Sequence, residues 1–151
     1  MSPLDPNAAR IRKERLETAS TALDIGRLGR HIFLCAEQTN ALCSEYEESR
    51  EVWRHLKRRL KELNLASAPA KQLPGKFDSS LPDTSVDGGP VLRSKVDCLR
   101  ICEYGPIAVV YPDGVWYRGV TVAVMDQIID EHLVGGLPVE EYVFAVDELG
   151  R

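Results

Sequence analysis

Four cysteines are the residues in this chain of 151 whose type and spacing could do chemistry. Cys98 and Cys102 have three residues between them in "DCLRICEYGP", just before a Gly-Pro turn and an apolar run, whereas Cys35 and Cys43 have seven between them. Each falls at the edge of an expected element: the end of a strand, the approach to a helix, or the turn before a strand. Such loop ends can converge at one end of a sheet, where free backbone N–H groups point at sulfur. Cysteines that serve only packing sit more often in mid-element on an apolar face. Four thiolates suit a closed tetrahedral zinc site, an iron–sulfur cluster, or dithiol redox chemistry. Structural zinc favours two tight knuckles, and only Cys98/Cys102 has that form. Thioredoxin-type chemistry uses C-x-x-C at the start of a helix, where the dipole lowers the nucleophile's pKa. Here the closer pair has one residue more and leads into Gly-Pro and a strand. A [2Fe–2S] cluster takes two ligands per iron and accommodates wide, unequal loops. Spacing therefore leans towards the cluster, and leaves zinc, thiol redox and inert thiols open.

The totals narrow the setting. The length suits one domain with a proper core. With 44% hydrophobic and 28% charged residues, the composition is that of a globular protein. A formal net charge of −4 argues against a nucleic-acid binder working by bulk charge. No apolar run approaches the roughly 20 residues that span a bilayer, so no membrane role is expected. The start, "MSPLDPNAARIRKERLETAS", lacks the apolar stretch of a secretory signal. A cytoplasmic, reducing location is the expectation, and there two structural disulfides are disfavoured.

The elements that must position the cysteines can be read from periodicity. A modestly amphipathic helix is expected from about Asn7 to Arg27, with Ile11, Leu16, Ala19 and Leu23 as its apolar residues. A short strand, "HIFLC", ends on Cys35. The clearest helix runs from about Glu47 to Leu63, with Val52, Trp53, Leu56, Leu60 and Leu63 on one face. The stretch 66–90 is rich in Pro, Gly, Ser and Asp, and reads as a long surface loop inserted in the domain. A strand, "VLRSKVDC", runs into Cys98. "IAVVY", the turn "PDG" and "VWYRG" make a hairpin. "VTVAVMDQIIDEHL" reads as a helix with Val122, Met125, Ile128, Ile129 and Leu133 inward, stopped at Gly135-Gly136. A short final strand is expected in "LPVEEYVFAV". This order points to an α/β or α+β fold, a sheet with helices packed on it.

"HIFLCAEQTNALC", "EVWRHLKRRLKEL" and "CLRICEYGPIAVVYPDGVWYRGVTVAVMDQIIDEHLVGGLPVEEYVF" together resemble the thioredoxin-like [2Fe–2S] ferredoxin family. The resemblance covers roughly 31–144, interrupted by the insertion. Its most specific parts are C-x₃-C-x₂-G-P, "YPDGVWY" and H-L-x-G-G-x-P-V-E. It implies a thioredoxin-like fold, with a central mixed sheet flanked by helices and no dithiol chemistry. It also implies a [2Fe–2S] cluster held by Cys35, Cys43, Cys98 and Cys102, in a one-electron carrier rather than an enzyme. Redox proteins would be its donors and acceptors, and a homodimer through an exposed hairpin or helix is compatible with the family. Residues 1–27 then form an N-terminal helical extension, and 28–151 the ferredoxin domain with its insertion at 66–90. All-cysteine ligation implies a low potential, on the order of −400 mV. The reading from another class is a zinc-stabilised structural or interaction module built on the same four thiolates.

The remaining features weigh less. Arg50, Arg54, Lys57, Arg58 and Lys61 make a basic stripe, which reads as a solvated helix face or as a dock for an acidic partner. Trp53 and Trp116 read as packing groups. His31, His55 and His132 would be ligands only in place of cysteines. Gly105-Pro106 fixes the turn behind the ligand loop.

Overall fold

The computed structural model describes residues 5–40, 44–66, 90–101 and 103–149. Cys43, Cys102 and nearly all of the expected insertion lie outside them. α1 (Pro6–Ala22) starts at Asp5, whose carboxylate accepts the N–H of Asn7, with Pro6 in the first turn. It ends five residues short of Arg27, because Asp24 (φ +59°) and Gly26 (φ +101°) adopt left-handed conformations that a helix cannot continue through. Ile11 and Leu16 are exposed, while Ala19 and Ala22 are buried.

β1 (Arg30–Cys35), α2 (Tyr46–Glu62), β2 (Val91–Val96), β3 (Ala108–Tyr111) and β4 (Val115–Tyr117) follow. Next come α3 (Val122–Gln127), a π-helical segment (Ile128–Val134), a 3₁₀ turn (Glu140–Tyr142) and β5 (Val143–Val146). The strands form one sheet in the order β2-β1-β3-β4-β5. β1 and β2 are parallel and every other pair is antiparallel, which is the mixed α/β sheet expected. A parallel pair needs a crossover, and the chain that holds α2 supplies it.

Alternation along the strands sets the faces. Ile32 and Leu34 lie opposite Val110 and Ala108, which lie opposite Val115 and Tyr117. These six residues share one face and are buried in a single core with Val52, Leu56 and Leu60 of α2. Val124, Met125, Ile128, Ile129 and Leu133 complete it. Each buried Val, Leu, Ile or Met side chain among them contributes about 1.5–3 kcal/mol of burial. Trp53 packs half-buried at the margin, but Leu63 is exposed rather than inward. The helix has ended by Leu63, and Leu65 takes the buried place instead. The opposite sheet face carries an aromatic row, with His31 stacked on Phe33 at 4.0 Å and Tyr111 edge-on to Phe33 at 6.4 Å.

The β3–β4 hairpin turns through Pro112-Asp113-Gly114. Gly114 has φ +67°, and a Cβ there would stand 1.8 Å from the Asp147 carbonyl oxygen, so only glycine fits. The expected helix after Val120 is capped by Thr121, whose hydroxyl accepts the Val124 N–H. It does not remain α-helical: its second half widens into the π segment, which turns Ile128, Ile129, His132 and Leu133 into the core. It stops at Gly135-Gly136 as expected.

A chain of hydrogen bonds, part-buried at Asp113 and buried at His132 and Tyr117, ties the hairpin tip to that segment. Arg30 Nε donates to Asp113 Oδ2 at 2.9 Å, and the same oxygen accepts from His132 Nε2 at 2.6 Å. His132 Nδ1 is 2.7 Å from the Tyr117 hydroxyl, which also accepts the Val139 N–H at 3.1 Å. The anionic Asp113 can only accept, so the imidazole proton sits on Nε2 and Nδ1 accepts from Tyr117. Burial pushes the Tyr117 phenol up to about 12. Burial also acts to raise Asp113, but the hydrogen bonds from Arg30 and His132 outweigh it and hold this carboxyl below its usual range. Burial lowers His132, against the opposing pull of Asp113.

With its folded pKa below the ordinary 6.5, His132 binds protons more readily in the unfolded chain, so the stability it confers is lost as pH falls through that region. His31, also lowered by burial, adds in the same direction. Replacing His132 with Gln keeps a donor and an acceptor but removes the titration. Denaturant unfolding at about pH 7 and about pH 5.5 should show a less stable variant with a smaller acid loss than the parent. An equal acid loss in both proteins would assign the sensitivity elsewhere.

Candidate functional site

Cys35 is the last residue of β1, and Cys98 follows β2 by two residues. The strands are parallel neighbours with Cys35 opposite Val96, so both chains leave the sheet at the same end. Two contacts hold these exits together, and a third ties Cys35 to the residue before β3. Ala36 N–H donates to the Val96 carbonyl at 3.1 Å, Thr39 N–H to Asp97 Oδ1 at 2.5 Å, and Cys35 N–H to the Ile107 carbonyl at 3.0 Å. The structure thus brings Cys35 and the Cys98 loop to one site. Cys43 and Cys102 lie outside the described residues.

The two described sulfurs are treated differently. Cys35 is 1% exposed and its Sγ accepts the Ile107 N–H at 3.1 Å. Cys98 is exposed and its Sγ accepts the Arg100 N–H at 3.2 Å. Backbone N–H donors stabilise the thiolate form of cysteine, the form that binds metal. Arg100 can donate there because it is left-handed, with φ +71°. Glu37 (φ +53°) and Tyr104 (φ +52°) are left-handed as well. Each of these three residues stands two places after a cysteine, and none is glycine. Left-handed non-glycine residues hold only where surrounding contacts over-determine them.

A polar pin fixes the Cys35 loop to α2. Gln38 is buried and its Nε2 donates to the Cys35 carbonyl at 3.3 Å. Ser49, fully buried in α2, accepts the Glu37 N–H at 3.2 Å, and its hydroxyl faces Gln38 Oε1 at 3.1 Å. Around the rim, a hydrogen bond from Lys95 lowers the Glu37 pKa, helped by Arg50 and Lys57. Ile101 and Tyr104 are exposed, Tyr104 by 77%.

The donor chemistry fits a metal–sulfur group. Two thiols at converging loop ends already receive N–H bonds on sulfur. Ser44, next in sequence to Cys43, has a buried hydroxyl oxygen with no hydrogen-bond partner, an O–H that an anionic sulfur could accept. Among the described residues no three His, Cys, Asp or Glu side chains group as metal ligands, and two of the four cysteines lie outside them. The histidines are engaged elsewhere: His31 with Ser94, His55 with Asp126, and His132 with Asp113. The expectation that the cysteines stand at element ends holds for Cys35 and Cys98, whereas the Gln38–Ser49 pin and the left-handed positions were not read from the sequence. A lone serine amid charged residues at the start of α2 was the one available signal for the pin.

No family model matches the chain. It is 50% identical over 48 residues to "Ferredoxin, 2Fe-2S" of Aquifex aeolicus (strain VF5), which is 32% of this chain and 43% of that one. It is 44% identical over 46 residues to "Ferredoxin, 2Fe-2S" of Clostridium pasteurianum, 30% of this chain and 45% of that protein. The chain thus spans less than half the length of the curated relatives it matches. In three dimensions it is similar to a thioredoxin-like [2Fe-2S] ferredoxin from Aquifex aeolicus, with a TM-score of 0.54 and 26% identity. That likeness covers 81% of this chain and 96% of the other. The fold is therefore thioredoxin-like, as the resemblance implied. No helix among the described residues is long and apolar enough to cross a membrane.

Replacing Ser49 with Ala removes the acceptor of the half-buried Glu37 N–H and the hydroxyl that faces Gln38 Oε1. The expected cost is about 1–3 kcal/mol, read as a lower denaturant midpoint. An unchanged midpoint would show that the hydroxyl holds nothing.

Proposed function

Kinship with the thioredoxin-like [2Fe–2S] ferredoxin family is the premise from which we propose that this chain carries single electrons between redox proteins. In this reading Cys35, Cys43, Cys98 and Cys102 hold a [2Fe–2S] cluster, and the chain is a carrier rather than an enzyme. The supporting observation is the meeting of Cys35 and the Cys98 loop at one sheet end, each sulfur already accepting a backbone N–H. Bound there, the cluster would supply a one-electron couple of low potential, on the order of −400 mV for all-cysteine ligation.

The chain's own residues set the terms of that couple. Reduction adds negative charge beside Cys35 and Cys98, and the N–H groups of Ile107 and Arg100 offset it. The apolar core walls off Cys35, while Cys98 looks outward and gives the side from which a partner approaches. A reducing, cytoplasmic compartment keeps the thiols from pairing with one another.

The purified protein should be reddish-brown, bleach on addition of dithionite, and contain iron and acid-labile sulfide at about two each per chain. Replacing Cys98 with Ser should deplete or shift the visible bands, and unchanged absorption would remove Cys98 from the ligand set. A colourless protein with one zinc per chain would favour the structural zinc module instead.

A further inference from the structure

On α2, Arg50, Arg54, Lys57 and Lys61 fall within an arc of about 60° over about 16 Å of helix. Edge strand β2 brings Arg93 and Lys95 up beside them. Trp53 joins the two elements: Lys57 Nζ lies 5.8 Å and the Arg93 guanidinium 5.7 Å from its ring centroid. Among the described residues, two carboxylates answer these six cations. Glu37 pairs with Lys95 and lies 3.5 Å from Arg50, and Glu47 lies 3.7 Å from Arg50. Arg54, Lys57, Lys61 and Arg93 have no carboxylate within ion-pairing distance among the described residues. Arg58, by contrast, turns away to His55 and Glu62.

Among these cations Arg93 stands apart. Its Nε is buried with no hydrogen-bond partner, and burial lowers its pKa. A cation desolvated against a tryptophan face, with no counter-charge among the described residues, costs stability that a solvated helix face does not require. An incoming carboxylate would recover that cost. The position is also specific. Lys95 sits opposite Leu34, Glu37 stands two residues beyond Cys35, and Cys98 follows three places after Lys95. The basic face thus begins at the cysteine end of the sheet, in a chain whose formal net charge is −4.

We propose that the α2–β2 face, centred on Trp53 and Arg93, is the docking surface for a redox partner with a carboxylate-rich face. This rests on the electron-carrier reading. Carboxylates on the partner pair with Arg54, Lys57, Lys61 and Arg93 and hold it against the Cys98 loop, and attraction between opposite patches speeds the encounter at low salt.

The test compares the holoprotein with a patch variant, Arg54→Glu/Lys57→Glu, and a control of equal charge change on exposed α1, Arg12→Glu/Lys13→Glu. Poly-L-glutamate, titrated at low and high salt by calorimetry, is the probe for the surface. The patch variant should bind about tenfold more weakly than the parent at low salt and lose most of the salt dependence, while the control follows the parent. In the second arm the dithionite-reduced holoproteins are mixed with hexacyanoferrate(III) or hexaammineruthenium(III). Reversing the patch should slow the anionic oxidant and quicken the cationic one. No binding of poly-L-glutamate, or equal losses in both variants, would overturn the proposal. Binding by a colourless protein would instead overturn the carrier reading.

Discussion

The parallel pairing of β1 with β2 is the constraint on which the site depends. Antiparallel neighbours would send Cys35 and the Cys98 loop out of opposite ends of the sheet. Parallel neighbours send them out of the same end, and the register of Cys35 with Val96 sets their relative height. That pairing needs a long crossover, and the chain uses it to lay α2 across the sheet. One connection therefore does three things: it buries Val52, Leu56 and Leu60, delivers Ser49 to the Cys35 loop, and presents a row of cations outward.

Two kinds of rigidity meet at the cysteine end. The core beneath is apolar and close-packed, and Cys35 belongs to it. The loops above are held by directional contacts, namely the Gln38–Ser49 pin, the Thr39–Asp97 bond and the Ile107 clamp on Cys35. A metal–sulfur group needs both, because its ligands have to stand at fixed separations before and after an electron arrives. The left-handed residues fit this pattern: each turns the backbone sharply just past a cysteine.

What could be read in advance followed from periodicity and punctuation. α2 shows itself by Val52, Leu56 and Leu60 at helical spacing, the hairpin by "PDG" between β-branched runs, and the stop of the last helix by Gly135-Gly136. Cys35 and Cys98 mark element ends because they interrupt those patterns. The rest depends on contacts between residues far apart in sequence. Nothing about Glu37, Arg100 or Tyr104 announces φ > 0, since side chains of these types carry no preference for it. His132 falls on an apolar stripe, and only the arrival of Asp113 from the hairpin gives its imidazole a role. The widening of the last helix into a π turn likewise leaves no mark in composition. Leu63 departs from the expected face for a simpler reason: a helical pattern does not show the residue at which the helix stops.

The hairpin tip has a consequence that reaches beyond its own geometry. Turns are where a sequence ordinarily drifts most freely, because their side chains face water and answer to nothing. This one does not have that latitude. Asp113 sits at the surface, yet it orients an imidazole that receives a phenol, which in turn receives the amide of the buried Val139. Gly114 beside it is hemmed in by the Asp147 carbonyl. A change at this exposed corner would be inherited by the interior, so the tip should vary across descendants as slowly as the core it fastens.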